Sequence, residues 1–121
     1  MQKIEGITHR LFKDEFEKFL NSLIERVKIK SKEYAPNTDP FHNFNVGAEI
    51  ENQDPRVVLH GFMLKHLISY FDHVTDLKNG GLGWTSFQSE EKLGDIITYL
   101  VIHHIANKAF NNDFDPVELP F

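Results

Sequence analysis

Residues 90–110 read EEKLGDIITYLVIHHIANKAF, and the period of this stretch decides the fold. Its apolar residues Leu93, Ile96, Ile97, Leu100, Val101, Ile102 and Ile105 recur at steps of three and four, as on an α-helix. Between Ile96 and Ile102 only Thr98 and the Tyr99 hydroxyl interrupt the apolar run. A helix apolar nearly all round belongs in the middle of a helical domain, and where one protomer cannot cover it, in a dimer or tetramer. Ser89 is the expected N-cap, with Glu90 and Glu91 in the first turn at the positive end of the helix dipole.

The same period appears upstream. Asp54 as N-cap and Pro55 at the first helical position predict a helix over Pro55–Thr75. Leu64, Leu67, Ile68, Phe71 and Val74 form its expected core stripe, extended by His60 and Met63. Lys65, Ser69, Asp72 and Asp76 lie on the opposite face. A first helix over Ile7–Ile29 has a stripe of Leu11, Phe12, Phe16, Phe19, Leu20, Leu23, Ile24 and Val27. The run from Ser31 to Pro40 holds two prolines and several turn formers, so it reads as a loop. It leads into Phe41-His42-Asn43-Phe44-Asn45 and a short helix over Val46–Ile50. The glycine-rich run Asp76–Trp84 contains neither GxGxxG nor a Walker A pattern, so its glycines end a helix and allow a turn. No segment alternates apolar and polar residues. The expectation is an all-α helical bundle of three long helices with short helical pieces between, one domain over 1–121, and an extended tail over 111–121.

Composition narrows the partners. With 121 residues, 13 Lys+Arg against 18 Asp+Glu, and a net charge of −5, the chain is a poor candidate for direct nucleic-acid binding, which needs a basic surface. Zero cysteine removes disulfides, thiolate metal sites and a Cys nucleophile, so any bound ion must sit on oxygen or imidazole. No apolar run reaches the roughly 18 residues of a membrane span. The opening MQKIEGITHR lacks the apolar segment of a signal peptide. A cytoplasmic protein is expected.

Glu91 and Asp95 carry the clearest chemistry. Four apart on one helix, their carboxylates lie one turn apart on one side. Two carboxylates leading onto an apolar helix face need a positive partner. Mg²⁺, which commonly takes one or two carboxylates plus substrate phosphates, is one; pairing of Asp95 with Lys65 or Lys92 is another. Asp72 on the preceding helix offers a third carboxylate, and Lys65 or Lys32 can neutralise a phosphate. On this reading some of the acids gather in one buried cluster. His66, His73 and Asp76 have a spacing that zinc could use, but HExxH is absent and no His precedes an Asp. Both histidines read as helix-flank residues, and the adjacent His103 and His104 suit a subunit contact.

The series Lys32-Glu33-Tyr34, Asp39-Pro40-Phe41-His42-Asn43-Phe44, Met63-Leu64-Lys65-His66 with Ser69 and Asp72, and Glu91-Lys92-Leu93-Gly94-Asp95 with Tyr99-Leu100 resembles the nucleotide-modification-associated domains of phages and prophages. More distantly it resembles MazG-type all-α nucleoside triphosphate pyrophosphohydrolases. The resemblance spans about Val27 to His103. It implies a MazG-like helical domain, in the cytoplasm of a bacterial host, that holds Mg²⁺ on acidic side chains and cleaves a nucleotide between its α and β phosphates. Glu91, Asp95 and Asp72 would be the metal and catalytic residues. Lys65 and Lys32 would meet the polyphosphate, with Tyr34, Asn43 and Phe44 in the substrate-binding set; Tyr34, Phe44 or Trp84 would stack on the base. The chain departs from the MazG pattern in having no EExxE, and Lys92 stands where the first acid of ExxD would fall. Asp39 and Glu49 are the candidates for a missing ligand. The expected partners are a small-molecule nucleotide and further copies of the chain in a homodimer or homotetramer. The alternative is a non-catalytic helical phage protein acting as an oligomeric interaction module.

Overall fold

A computed structural model describes residues 2–34 and 39–114, the side chains of 31–34 excepted. Among the described residues there are four helices and no strand: α1 (His9–Tyr34), α2 (His42–Glu51), α3 (Pro55–Lys78) and α4 (Ser86–Phe110). The fold is all-α, with three long helices and one short one. The chain divides into two compact units, Met1–Thr38 and Asp39–Phe121.

The first unit is built on α1. Thr8 starts it, its hydroxyl accepting a hydrogen bond from the Leu11 N–H at 3.1 Å. The helix runs to Tyr34, beyond the expected end at Ile29, because Lys30 to Tyr34 include no breaker and the first proline is Pro36. Phe12 and Phe16 stand one turn apart with ring centroids 6.0 Å apart. Lys13–Glu17 and Lys28–Glu25 pair on the exposed side, each worth about 0.3–0.5 kcal/mol.

The second unit holds α2, α3 and α4, with α3 packed on both others. Asp39 prepares α2: its carboxylate accepts from the Phe41 N–H at 2.8 Å and from the Asn45 amide at 2.9 Å. This brings the start of α2 forward to His42, four residues before the expected Val46. α2 closes at Asn52, which takes the left-handed conformation at φ 53°. Gly47 lets α2 approach α3, since a Cβ there would lie 2.9 Å from Val58 Cγ1. Phe44 meets Phe62 edge to face at 5.5 Å. The start of α3 is as the sequence predicts: the Asp54 side chain accepts from the Arg56 N–H at 2.8 Å, with Pro55 in the first turn.

Two expectations are corrected in this unit. The cap of α4 is Thr85, not Ser89. The Thr85 hydroxyl accepts from the Gln88 N–H at 3.2 Å, and the Gln88 side chain accepts from the Thr85 N–H at 3.0 Å. That reciprocal box satisfies two otherwise orphaned donors, so the helix begins a turn earlier. Glu90 and Glu91 therefore sit past the first turn, beyond most of the helix dipole's reach. The second correction concerns which face of α3 is inside. Leu64, Ile68 and Phe71 of the expected core stripe are 45%, 52% and 61% exposed, whereas Leu59, at 1%, is the most buried large side chain. The inward residues are Leu59, Met63, His66 and His73, with Leu67 and Val74 of the expected stripe half-buried beside them, while Tyr70, though exposed, carries its ring to within 6.2 Å of Trp84.

Candidate functional site: the polar half of the α3–α4 seam

α3 and α4 run antiparallel, and the residue pairs across them form an ordered row. Nearest the connecting loop, Trp84 lies flat on His73, centroids 4.2 Å apart and planes 9° from parallel. Next, Lys92 donates to the Ser69 hydroxyl at 3.4 Å. Then Asp95 faces His66, Oδ2 to Nδ1 at 3.9 Å. Beyond this pair on the two helices come the buried apolar side chains Met63 and Leu59 of α3 and Ile96 of α4. At the far end of the seam Arg56 holds Asp54 by a salt bridge at 2.6 Å, donates to the Asn107 side chain at 3.1 Å and covers the Phe110 ring at 4.3 Å.

The loop between the helices is fastened at three points. The Asp76 carbonyl accepts from the Gly81 N–H at 2.8 Å, and its carboxylate accepts from the Gly83 N–H at 2.9 Å. His73 Nδ1 accepts from the Trp84 N–H at 3.0 Å. The glycines are required here for space as well as for the turn. Gly83 has φ +68°, and a Cβ on it would lie 2.6 Å from His73 Cε1; one on Gly81 would overlap the Asp76 carboxyl group. The run is thus a clasp that fixes Trp84.

Asp95 has neither of its expected lysine partners. Lys92 turns to Ser69, and Lys65 is exposed on α3. Among the described residues no group donates a hydrogen bond to the Asp95 carboxylate, and its contact with His66 is too long to count as one. The side chains of His66 and Asp95 retain 19% and 26% exposure, so the carboxylate is half-buried and reachable. The His66 ring lies 5.4 Å from that of Tyr99. Desolvation, and then the charge of Asp95, push the Tyr99 phenol above its usual pKa. Lys92 is the counterpart of Asp95: a half-buried ammonium 5.8 Å from the Trp84 centroid that no carboxylate pairs among the described residues.

Glu91 and Asp72 are exposed, and no group of three or more His, Asp or Glu among the described residues is arranged to hold a metal ion. No charged residue there is fully buried, so the expectation of a buried acidic cluster is not met. Asn43 is exposed, while Phe44 packs between Phe41 and Phe62. The side chains of Lys32 and Tyr34 lie outside the described residues. His66 and His73 are seam residues rather than helix-flank residues, and the 4-3-7 spacing of Leu59, Met63, His66 and His73 is the signal that marks them. His103 is half-buried and contributes positive potential at Asp54; His104 is exposed.

The chain matches no family model, no curated protein and no solved structure.

The seam therefore has to be read from its own chemistry. Within the described residues it offers a fixed aromatic ring, a cation without a carboxylate partner, a hydroxyl and an incompletely satisfied carboxylate, in that order, along a half-buried line. Among the described residues no helix is long and apolar enough to cross a membrane.

Proposed function

We propose that this chain is a nucleotide-handling protein of phage type, a Mg²⁺-dependent pyrophosphohydrolase of a (deoxy)nucleoside triphosphate, with the polar half of the α3–α4 seam as its site. The observation that carries the reading is Asp95: among the described residues, a half-buried carboxylate without a hydrogen-bond donor, one turn from a lysine without a carboxylate partner. The resemblance supports it, because its short pieces on α3 (His66, Ser69) and α4 (Lys92, Asp95, Tyr99) are those that meet across the seam.

The donor set suits Mg²⁺ held by one or two carboxylates with phosphate oxygens completing the shell, not an all-protein cage. Asp95 would hold it, assisted by Glu91 from the preceding turn. Bound there, the ion would screen the polyphosphate and make an attacking water more acidic. Lys92 and Lys65 neutralise phosphate oxygens, and the His66 ring stands beside the Asp95 carboxylate at 3.9 Å. Water adds across the α–β phosphoanhydride, giving a nucleoside monophosphate and pyrophosphate.

Pyrophosphate release from a panel of nucleoside triphosphates tests this reading. Release should require Mg²⁺ and cease in EDTA. Mg²⁺ plus the preferred nucleotide should raise the melting temperature, as any ligand of the native state does. Asp95→Asn should lose both effects with helical content unchanged. If no nucleotide shifts the melting temperature at any physiological concentration, the reading fails.

A second reading is favoured by a different observation. Leu64, Ile68 and Phe71 on α3, and Leu100, Val101 and Ile105 on α4, are all exposed. Apolar faces of this kind fit a non-catalytic helical module that acts by associating. Self-association without any response to nucleotide would support that reading over the first.

A further inference from the structure

We propose that the Trp84 indole is the stacking platform for the nucleobase, so that a nucleotide lies along the seam with its base toward the Gly80–Thr85 loop and its phosphates toward Asp95. The inference rests on the nucleotide reading above and adds the ligand's direction and its base subsite.

Three observations carry it. The first is that Trp84 is fixed before any ligand arrives. His73 backs one ring face at 4.2 Å, and the Trp84 N–H is tied to His73 Nδ1. Asp76 pins the adjoining loop through Gly81 and Gly83. A ring already immobilised loses little further freedom when a base stacks on it. Trp84 nevertheless stays partly exposed. The second is Lys92, whose half-buried ammonium has a neutral hydroxyl and the Trp84 ring for company but no carboxylate among the described residues. A cation so placed, still within reach of water and unpaired by a carboxylate among the described residues, is available to an anion from outside. The third is order. Lys92 precedes Asp95 by three residues, about 4.5 Å along the helix, and Trp84 lies on the far side of Lys92. Aromatic ring, cation and metal-competent carboxylate in sequence match base, phosphate and metal-bridged phosphate. An inorganic polyphosphate would leave the ring unused, and a free base would leave the cation unused.

Trp84 is the single tryptophan, so its emission reports directly on stacking. The protein with Mg²⁺ is titrated with a nucleoside triphosphate, the matching nucleoside and inorganic tripolyphosphate. The triphosphate should quench Trp84 strongly and the nucleoside should do so more weakly. Tripolyphosphate, which can reach the indole only through Lys92, should change the emission far less than the triphosphate while competing with it. In melting-temperature titrations Trp84→Phe should bind the triphosphate within about threefold of the native chain, and Trp84→Leu should weaken it about tenfold or more. Lys92→Met should weaken the triphosphate more than the nucleoside. Far-ultraviolet circular dichroism confirms that each variant is folded. A nucleotide that raises the melting temperature yet leaves both the emission and the Trp84→Leu affinity unaffected overturns the inference while the nucleotide reading stands. Quenching by nucleoside and triphosphate without any pyrophosphate release supports the base subsite and removes the catalytic reading. If no nucleotide gives either signal, both fall together.

Discussion

At the residue scale, Asp54 makes the clearest statement about pH. Its carboxyl group is held down to about 2, chiefly by the hydrogen bonds from the Arg56 guanidinium and then by the Arg56 N–H. The usual value is 3.8, so between pH 4 and pH 2 the unfolded chain binds more protons at this position than the folded one. The stabilising contribution is therefore complete above about pH 4 and disappears as pH falls toward 2. Melting temperature followed down through that interval should fall less steeply in Asp54→Asn than in the native chain. Gly83 makes a second statement. Its φ is +68°, and a Cβ at this position would come within 2.6 Å of His73, so there is no room for a side chain. Gly83→Ala should cost about 1–2 kcal/mol from backbone strain alone. Because it also pushes on His73, it should alter Trp84 emission in the folded protein, an effect that a remote destabilising change would not give.

At the element scale the two caps can be told apart by substitution. Thr85→Ala removes one half of a reciprocal box and should lower stability by about 1 kcal/mol, whereas Ser89→Ala, inside the helix, should be near neutral or slightly favourable. Chemical denaturation measures both. That contrast also shows how far the sequence could be read. Helix α4, the Asp54–Pro55 start of α3 and the role of the glycines in ending a helix all follow from local chemistry, and all are found. What local chemistry hides is choice among competing signals. Thr85 and Ser89 are both good caps, and only the Gln88 side chain decides for the former. On α3 the apolar residues outnumber the positions one neighbour can cover. Counting them selects Leu64, Leu67, Ile68, Phe71 and Val74, extended by His60 and Met63. Of these Met63 is buried and Leu67 and Val74 are half-buried, but Leu64, Ile68, Phe71 and His60 are exposed, and Leu59, His66 and His73 turn inward without having been counted. The histidines look misplaced on an inward line until their partners, Asp95, Tyr99 and Trp84, are known from across the seam. The same applies to the site. Asp95 stands out in the sequence from its place before an apolar run, but its neighbour His66 and the turn of Lys92 toward Ser69 exist only once α3 and α4 are set side by side.

At the scale of the whole molecule, the deciding quantity is the apolar surface left on α3 and α4. Leu64, Ile68 and Phe71 follow one another at steps of four and three, a continuous stripe rather than scattered exposure. Leu100, Val101 and Ile105 make a second such patch on α4. Single exposed apolar residues need no explanation, but contiguous ones mark surfaces meant to be covered. If a second copy covers the α3 stripe, a charge in its centre must be excluded from water without a partner, which is strongly unfavourable. Ile68→Glu should then lower the mass measured by light scattering to that of one chain. It should leave the seam intact, because Ile68 points away from the line that carries His66 and His73. The native chain should scatter as a dimer or tetramer, and its melting temperature should rise with protein concentration. A native chain that scatters as a monomer at every concentration, with Ile68→Glu indistinguishable from it, would assign the stripe some cover other than a second copy. Nucleotide response in the same variant separates the two functional readings: a monomeric Ile68→Glu that still shifts with Mg²⁺ and nucleotide places the chemistry within one chain's seam, whereas loss of both together makes the site depend on assembly.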